Sequence, residues 1–174
     1  RAADGQLHEL SVFPDGSRGR ESIITMLAKA PPAAGRPAAC SLGSGDRRVI
    51  YRGKAGHLHE LLRVAGGADA GVWRHTNLTE QLSIPVASCD PSVAVLDGVP
   101  HIVYTDDTAR LREIWKDGQW RHHPLPAAPR PAGGVIVSRS ERALYVSYRT
   151  MFGAACEQTL FTDAATNDRR GWSP

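Results

Sequence analysis

The sequence predicts an all-β chain built from repeated four-stranded antiparallel units, and three observations carry that prediction. A tyrosine followed nine residues later by a glutamate recurs at Tyr51/Glu60, Tyr104/Glu113 and Tyr148/Glu157. Asp-Gly pairs, a strong short-range hairpin signal, punctuate the third unit at Asp97–Gly98 and Asp117–Gly118. No stretch sustains a capped helical period; "SIITMLAKA" (22–30) comes nearest, and the repeat register assigns it to a strand.

The elements follow in chain order. "GQLHEL" (5–10) matches "GHLHEL" (56–61) and "ARLREI" (109–114), so Glu9 is a fourth copy of the glutamate. Its tyrosine would fall one position before residue 1. An apolar, β-branched run precedes each tyrosine: "RVIY", "HIVY" and "LYVSY". Proline-bearing turns precede those runs, "AGRPAA", "SCDPSV" and the looser "PRPAGG". A tryptophan follows Glu60, Glu113 and Glu157, at Trp73, Trp120 and Trp172. The third unit reads in full as strands 92–96, 101–105, 110–115 and 120–125. Tyrosine spacings of 53 and 44 residues, with this density of short strands, are those of β-propeller blades.

The expected architecture is therefore a β-propeller of four-stranded antiparallel blades, about three and a half repeats in this chain. It is a single segment over 1–174, with repeats at about 1–30, 31–83, 84–126 and 127–174. First and second strands are expected in three copies, third and fourth strands in all four. The chain is accordingly expected to be a piece of a larger propeller, or to have its missing strands supplied by another chain.

Composition narrows the function. The chain has 174 residues, 41% of them hydrophobic and 22% charged, which suits a packed core and excludes disorder. No apolar run is long enough to span a bilayer, so membrane insertion is not expected. The net charge of +3 comes mainly from scattered arginines; Lys29, Lys54 and Lys116 are the lysines. Nucleic-acid binding needs a concentrated basic stripe and is not expected. The amino-terminal residues hold no signal-peptide core, and a cleaved signal stays open; secretion is the favoured setting. Cys40, Cys89 and Cys156 lack zinc-ligand spacing, and one disulfide or three free thiols both remain open.

His57, His59 and Glu60 look like a cluster until the repeats are aligned. The positions matching His59 hold His8, Arg112 and Cys156, so a repeated metal site is excluded, and no cofactor is expected. Asp106–Asp107 reads as a solvated turn. No nucleophile–base, phosphate-loop or metalloprotease pattern is present, and the chain is not expected to be an enzyme.

The recurring glutamate has two readings. It can accept hydrogen bonds from a neighbouring blade and fix its register. It can also bind sugar: a carboxylate accepts hydroxyl hydrogen bonds, an aromatic ring stacks on the C–H face and a basic group completes the fork. The candidate sugar-binding residues are Glu60, Glu113, Glu157, Trp73, Trp120 and Trp172, and the expected partners are glycans or monosaccharides. Repeated weak sites would gain by multivalency. The alternative is a protein-interaction propeller that has lost sugar binding.

"HIVYTDDTARLREIWKDGQW" (101–120) resembles the repeat of the fungal and bacterial fucose-specific lectin propellers. The matching residues are Tyr104, Glu113, Asp117, Gly118 and Trp120. Tyr51, Glu60 and Trp73 match in the second copy, and Tyr148, Glu157 and Trp172 in the last. The resemblance implies lectin activity at blade junctions. It also implies an arginine two residues before each tyrosine, where this chain has Val49, Ile102 and Val146. Arg48 and His101 lie one residue earlier and are expected on the opposite face, so fucose specificity is not implied.

Overall fold

The structure, a computed structural model, describes residues 1–126, 129–162 and 169–173. The elements are β1 (His8–Val12), β2 (Arg18–Ile23), α1 (Ile24–Leu27), β3 (Ala38–Ser41), β4 (Arg47–Arg52), β5 (Leu58–Arg63) and β6 (Trp73–Asn77). They continue as α2 (Leu78–Leu82), β7 (Ser92–Leu96), β8 (Val99–Thr105), β9 (Leu111–Asp117) and β10 (Gln119–Pro124). The last are β11 (Pro131–Arg139), β12 (Ala143–Thr150), β13 (Ala155–Thr162) and β14 (Arg169–Ser173). Strands pair with their sequence neighbours, all antiparallel. β1–β2 form a two-stranded sheet, and β3–β6, β7–β10 and β11–β14 form four-stranded ones.

The sheets stack face to face, and each junction has its own core. Leu7, Ile24, Tyr51, Leu61 and Trp73 fill the first. Ile50, Leu58, Ile102, Tyr104 and Ile114 fill the second. Val103, Val135, Val137, Leu144 and Leu160 fill the third. The first strand of the third sheet, β7, touches both β3 and β11, so the inner strands converge. This is the β-propeller arrangement, all-β as the repeats imply.

The repeats acquire physical reasons. Tyr51 and Tyr104 are fully buried, and their hydroxyls donate to the Pro31 and Pro85 carbonyls at 2.8 and 3.1 Å. The tyrosine thus ties its blade to the preceding linker. Four residues before each glutamate the backbone turns left-handed, at Gly5 (φ +85°), Gly56 (+82°), Ala109 (+59°) and Gly153 (+86°). A Cβ on Gly5 would meet the Ala33 carbonyl oxygen at 2.7 Å.

The strand expected over 22–30 is corrected. β2 ends at Ile23, and Ile24–Leu27 is a helical turn, matched by α2 after β6. The two turns fill one role. Thr25 and Thr79 are buried, and their hydroxyls accept from the Leu7 and Leu58 N–H groups at 3.1 and 2.8 Å. Lys29 and Ser83 end the two segments at the same φ of 51°. All three cysteines are free thiols.

Candidate functional site

Strand register decides which groups meet. Glu60 stands opposite Ile50, and Glu113 opposite Val103. Each faces the side of residues one and three before the tyrosine, because side chains alternate along a strand. Arg48 and His101 therefore share the glutamate's face, and the expectation that they point away from the site is overturned. Trp73 pairs with Arg63, Trp120 with Lys116 and Trp172 with Leu160, in each case three residues beyond the glutamate. For Glu60 with Trp73 and Glu113 with Trp120, the odd offset puts glutamate and tryptophan on opposite faces of one sheet. Glu9 and Glu60 look toward the tryptophan of the next sheet, Trp73 and Trp120 respectively.

At the second junction the Arg48 guanidinium donates to Glu60 Oε1, with the two residues 5% and 2% exposed. From the next sheet Trp120 covers the pair. Its ring centroid lies 5.6 Å from the Arg48 guanidinium carbon and 5.4 Å from Lys116 Nζ. Burial pushes the Glu60 carboxyl above its ordinary range, opposed by the charges of Arg48 and Lys116. At the third junction His101 Nδ1 lies 2.6 Å from Glu113 Oε1, and His123 Nε2 lies 3.1 Å from Oε2. Glu113 is fully buried. The run 121–123 divides as alternation requires, with His123 on the Glu113 face and His122 opposite Ile114 on the other.

At the first junction Glu9 of β1 is ion-paired to Arg47 of β4, its side chain 23% exposed. Trp73 packs in the same junction, against Leu7, Tyr51 and Leu61. Around them opens a pocket of about 470 Å³ whose lining includes Leu7, Glu9, Ile24, Arg47, Val49 and Trp73. On the fourth sheet Glu157 lies opposite Ser147, whose hydroxyl donates to it at 3.2 Å, and it is exposed. Tyr145 holds the position of Arg48 and His101 there. The Trp172 side chain lies outside the described residues.

Glu9, Glu60 and Glu113 are thus brought to successive junctions, each with different neighbours. The sequence reading missed Arg47, Arg48, Lys116, His101 and His123 as partners. The signal for Arg48 and His101 was their shared place three residues before the tyrosine. Asp106, expected in a solvated turn, is fully buried and corrected. It accepts from Thr108 and Arg110 N–H groups, each at 2.9 Å, and from Arg112 Nε at 2.5 Å. Burial works to raise its carboxyl, but these donors hold it below the usual range.

His57, His59 and His75 gather on the outer half of the second sheet. His59 Nδ1 lies 3.0 Å from His75 Nε2, and burial with these two neighbours lowers the His59 imidazole to about 4. Among the described residues no group of three or more metal-ligating side chains is placed to hold an ion.

No family model matches the chain, and no curated protein does. Solved structures do. A fucose lectin from Kordia zhangzhouensis, in complex with methyl-fucoside, has a TM-score of 0.56 at 15% identity, over 79% of this chain and 96% of that one. A fucose-specific lectin from Aleuria aurantia has a TM-score of 0.61 at 14% identity, over 98% of this chain and 52% of that one. A mutant of the NanB sialidase from Streptococcus pneumoniae has a TM-score of 0.59 at 12% identity, over 93% of this chain and 27% of that one. The fold therefore occurs in enzymes as well as lectins. The chain spans nearly the whole Kordia lectin and about half of the Aleuria lectin, and it shares with these fucose lectins the β-propeller fold.

Proposed function

We propose that the chain is a carbohydrate-binding, lectin-like propeller whose saccharide sites are its blade junctions. The first junction carries this reading. There a glutamate, an arginine and a tryptophan from two adjoining sheets frame an open pocket of about 470 Å³. Glu9 Oε1 takes the Arg47 guanidinium, and its second oxygen is available to a sugar hydroxyl. Trp73, 7% exposed, gives the pocket an apolar wall against which a sugar C–H face would rest. Glu60 and Glu113, with exposures of 2% and 0%, are held by Arg48 and by the His101 and His123 rings, and they hold register in this structure.

The substrate class is a neutral monosaccharide with vicinal hydroxyls at a glycan end. Fucose is the first to test, because the Kordia lectin is described with methyl-fucoside. The chain is read as non-enzymatic, each junction offering one glutamate of the repeat. We further read the two-stranded first sheet as completed by strands from another segment or chain.

A glycan array with the chain, followed by calorimetry on the best ligand, tests this. Glu9→Gln and Trp73→Ala are expected to weaken binding tenfold or more, and Glu157→Gln to leave it unchanged. Binding held equally by Glu9→Gln and Trp73→Ala would overturn the site. No binding across the array would leave the protein-interaction reading.

A further inference from the structure

The first strands of the three four-stranded sheets converge, with β7 against both β3 and β11. Where they begin lies a cavity of about 730 Å³, a volume in the range of small-molecule sites. Its lining includes Arg36, Pro37, Arg52, Asp90, Pro91 and Gly134, and none of the repeated glutamates or tryptophans. β11 supplies the space. Its pairing with β12 slips between Pro131 and Val135, an irregularity that bends a strand, and Gly133 and Gly134 bring no side chains there. A Cβ on Gly134 would meet nothing within 4 Å.

The charged residues of the lining are Arg36, Arg52 and Asp90. The Asp90 carboxylate is fixed in place. Its Oδ2 accepts from the Arg36 backbone N–H at 2.9 Å, and its Oδ1 from Arg52 Nη2 at 3.3 Å. It packs so closely on Gly35 that a Cβ there would collide with it. Arg52 is thereby held at the cavity by one long bond, and its Nε has no partner. Arg36 is exposed, and its guanidinium has no hydrogen-bond or ion-pair partner among the described residues. Two guanidiniums against one carboxylate leave the cavity positive.

We propose that this cavity binds a small organic acid, its carboxylate bridging Arg36 and Arg52 and its body resting against Pro37. An arginine fork matches a carboxylate in plane and spacing and keeps its charge at every pH compatible with folding. With Asp90 in place the lining carries one net positive charge, which suits a monocarboxylate better than a phosphate dianion. An apolar wall with a few convergent polar groups is the usual make-up of a small-molecule site. The site lies at the meeting of the first strands, and it does not depend on the junctions binding sugar.

The test is a nuclear magnetic resonance titration of the nitrogen-15-labelled chain at neutral pH, followed at the Arg36 and Gly134 backbone signals. The ligands tried are glucuronate, phenylacetate, methyl glucoside and inorganic phosphate. Saturable shifts with one or both acids, and none with methyl glucoside, are expected. Glucuronate alone would make the ligand a sugar acid, and phenylacetate alone an apolar acid. Arg36→Gln removes a guanidinium with no bond in the fold and should weaken binding roughly tenfold or more, the worth of a hydrogen bond to a charged group. Gly134→Leu fills the cavity and should abolish binding, with far-UV circular dichroism unchanged. Arg18→Gln removes an exposed charge from the first sheet and should leave binding as it was. The proposal is overturned if neither acid binds, if methyl glucoside binds as well as glucuronate, or if phosphate binds more tightly than both acids. Unchanged affinity in the Arg36→Gln or Gly134→Leu chain overturns it too. Acid binding by a chain that binds nothing on a glycan array would defeat the junction reading and leave this site standing.

Discussion

At the residue scale, the outcome depends on which buried charges are compensated. Arg48 and Glu60 form a nearly dry pair under Trp120. Removing one partner strands the other, which typically costs about 3–5 kcal/mol, whereas replacing both with apolar groups is often neutral. Arg48→Met is therefore expected to lower the urea midpoint sharply, and the Arg48→Met, Glu60→Met double variant to recover most of the loss. If both variants are equally unstable, the pair is not the source. His59 gives a pH signature of known sign. Its imidazole is lowered to about 4, so the folded chain binds fewer protons there than the unfolded chain, whose imidazole titrates near 6.5. Stability is fully present above pH 6.5 and is lost as pH falls from there toward 4, at no more than about 1.4 kcal/mol per pH unit for one group. His59→Gln should flatten urea midpoints measured between pH 7 and 4.5; an unchanged slope would reassign the effect to other groups. The sequence made the glutamates and tryptophans visible because they repeat. It did not show that Arg48 shares the Glu60 face, since that follows from Glu60 standing opposite Ile50, a register set by pairing between strands.

At the element scale, strands and hairpins were easier to read than the pieces between them. The third unit came out close to its reading: β7 matches in full, and β8 through β10 shift by one or two residues at their ends. Local chemistry explains that success, because Asp97 and Gly98 both adopt positive φ, 51° and 78°, as a two-residue hairpin turn requires. The helical turns α1 and α2 were not readable in the same way. Four or five residues cannot display a helical period, and what repeats is a threonine answering a backbone N–H in another strand. The Asn77 side chain accepts from the Glu80 N–H at 3.3 Å and so caps α2. Thr79→Val keeps the shape and removes the acceptor, leaving the buried Leu58 N–H unpaired at a cost of about 1–3 kcal/mol. Amide exchange at Leu58 should accelerate to match; a Thr79→Val chain with wild-type stability and exchange would show that the turn is held by packing alone. Gly56→Ala should cost about 1–2 kcal/mol, because it forces a side chain into the left-handed region beside the Ala87 carbonyl. A wild-type thermal midpoint for that variant would show that the turn tolerates a Cβ.

At the scale of the whole molecule, one rule organises the first two junctions: the glutamate face of one sheet meets the tryptophan of the next. The tryptophan half of that rule was hidden in the sequence, because it joins residues of different repeats through stacking and not through local order. Among the described residues no sheet follows the glutamate face of the fourth. Glu157 is exposed there, and Ile136, opposite Ser147 on the same face, is 67% exposed. On the first sheet and its turn, Leu10, Val12 and Phe13 are 51%, 62% and 55% exposed. Apolar groups gathered on sheet faces that elsewhere in the molecule pack against a neighbour mark interaction surfaces. The chain at micromolar concentration is therefore expected to associate, or to bind an apolar-surface dye strongly. Ile136→Glu places a charge in the middle of the fourth-sheet face and should shift the light-scattering mass downward, with far-UV circular dichroism unchanged. Lys54→Gln, in the exposed turn between β4 and β5, should leave the mass where it is. A monodisperse monomer that binds no dye would mean that these faces are stable in water as they stand, and the reading of the two-stranded sheet as awaiting further strands would fall with it.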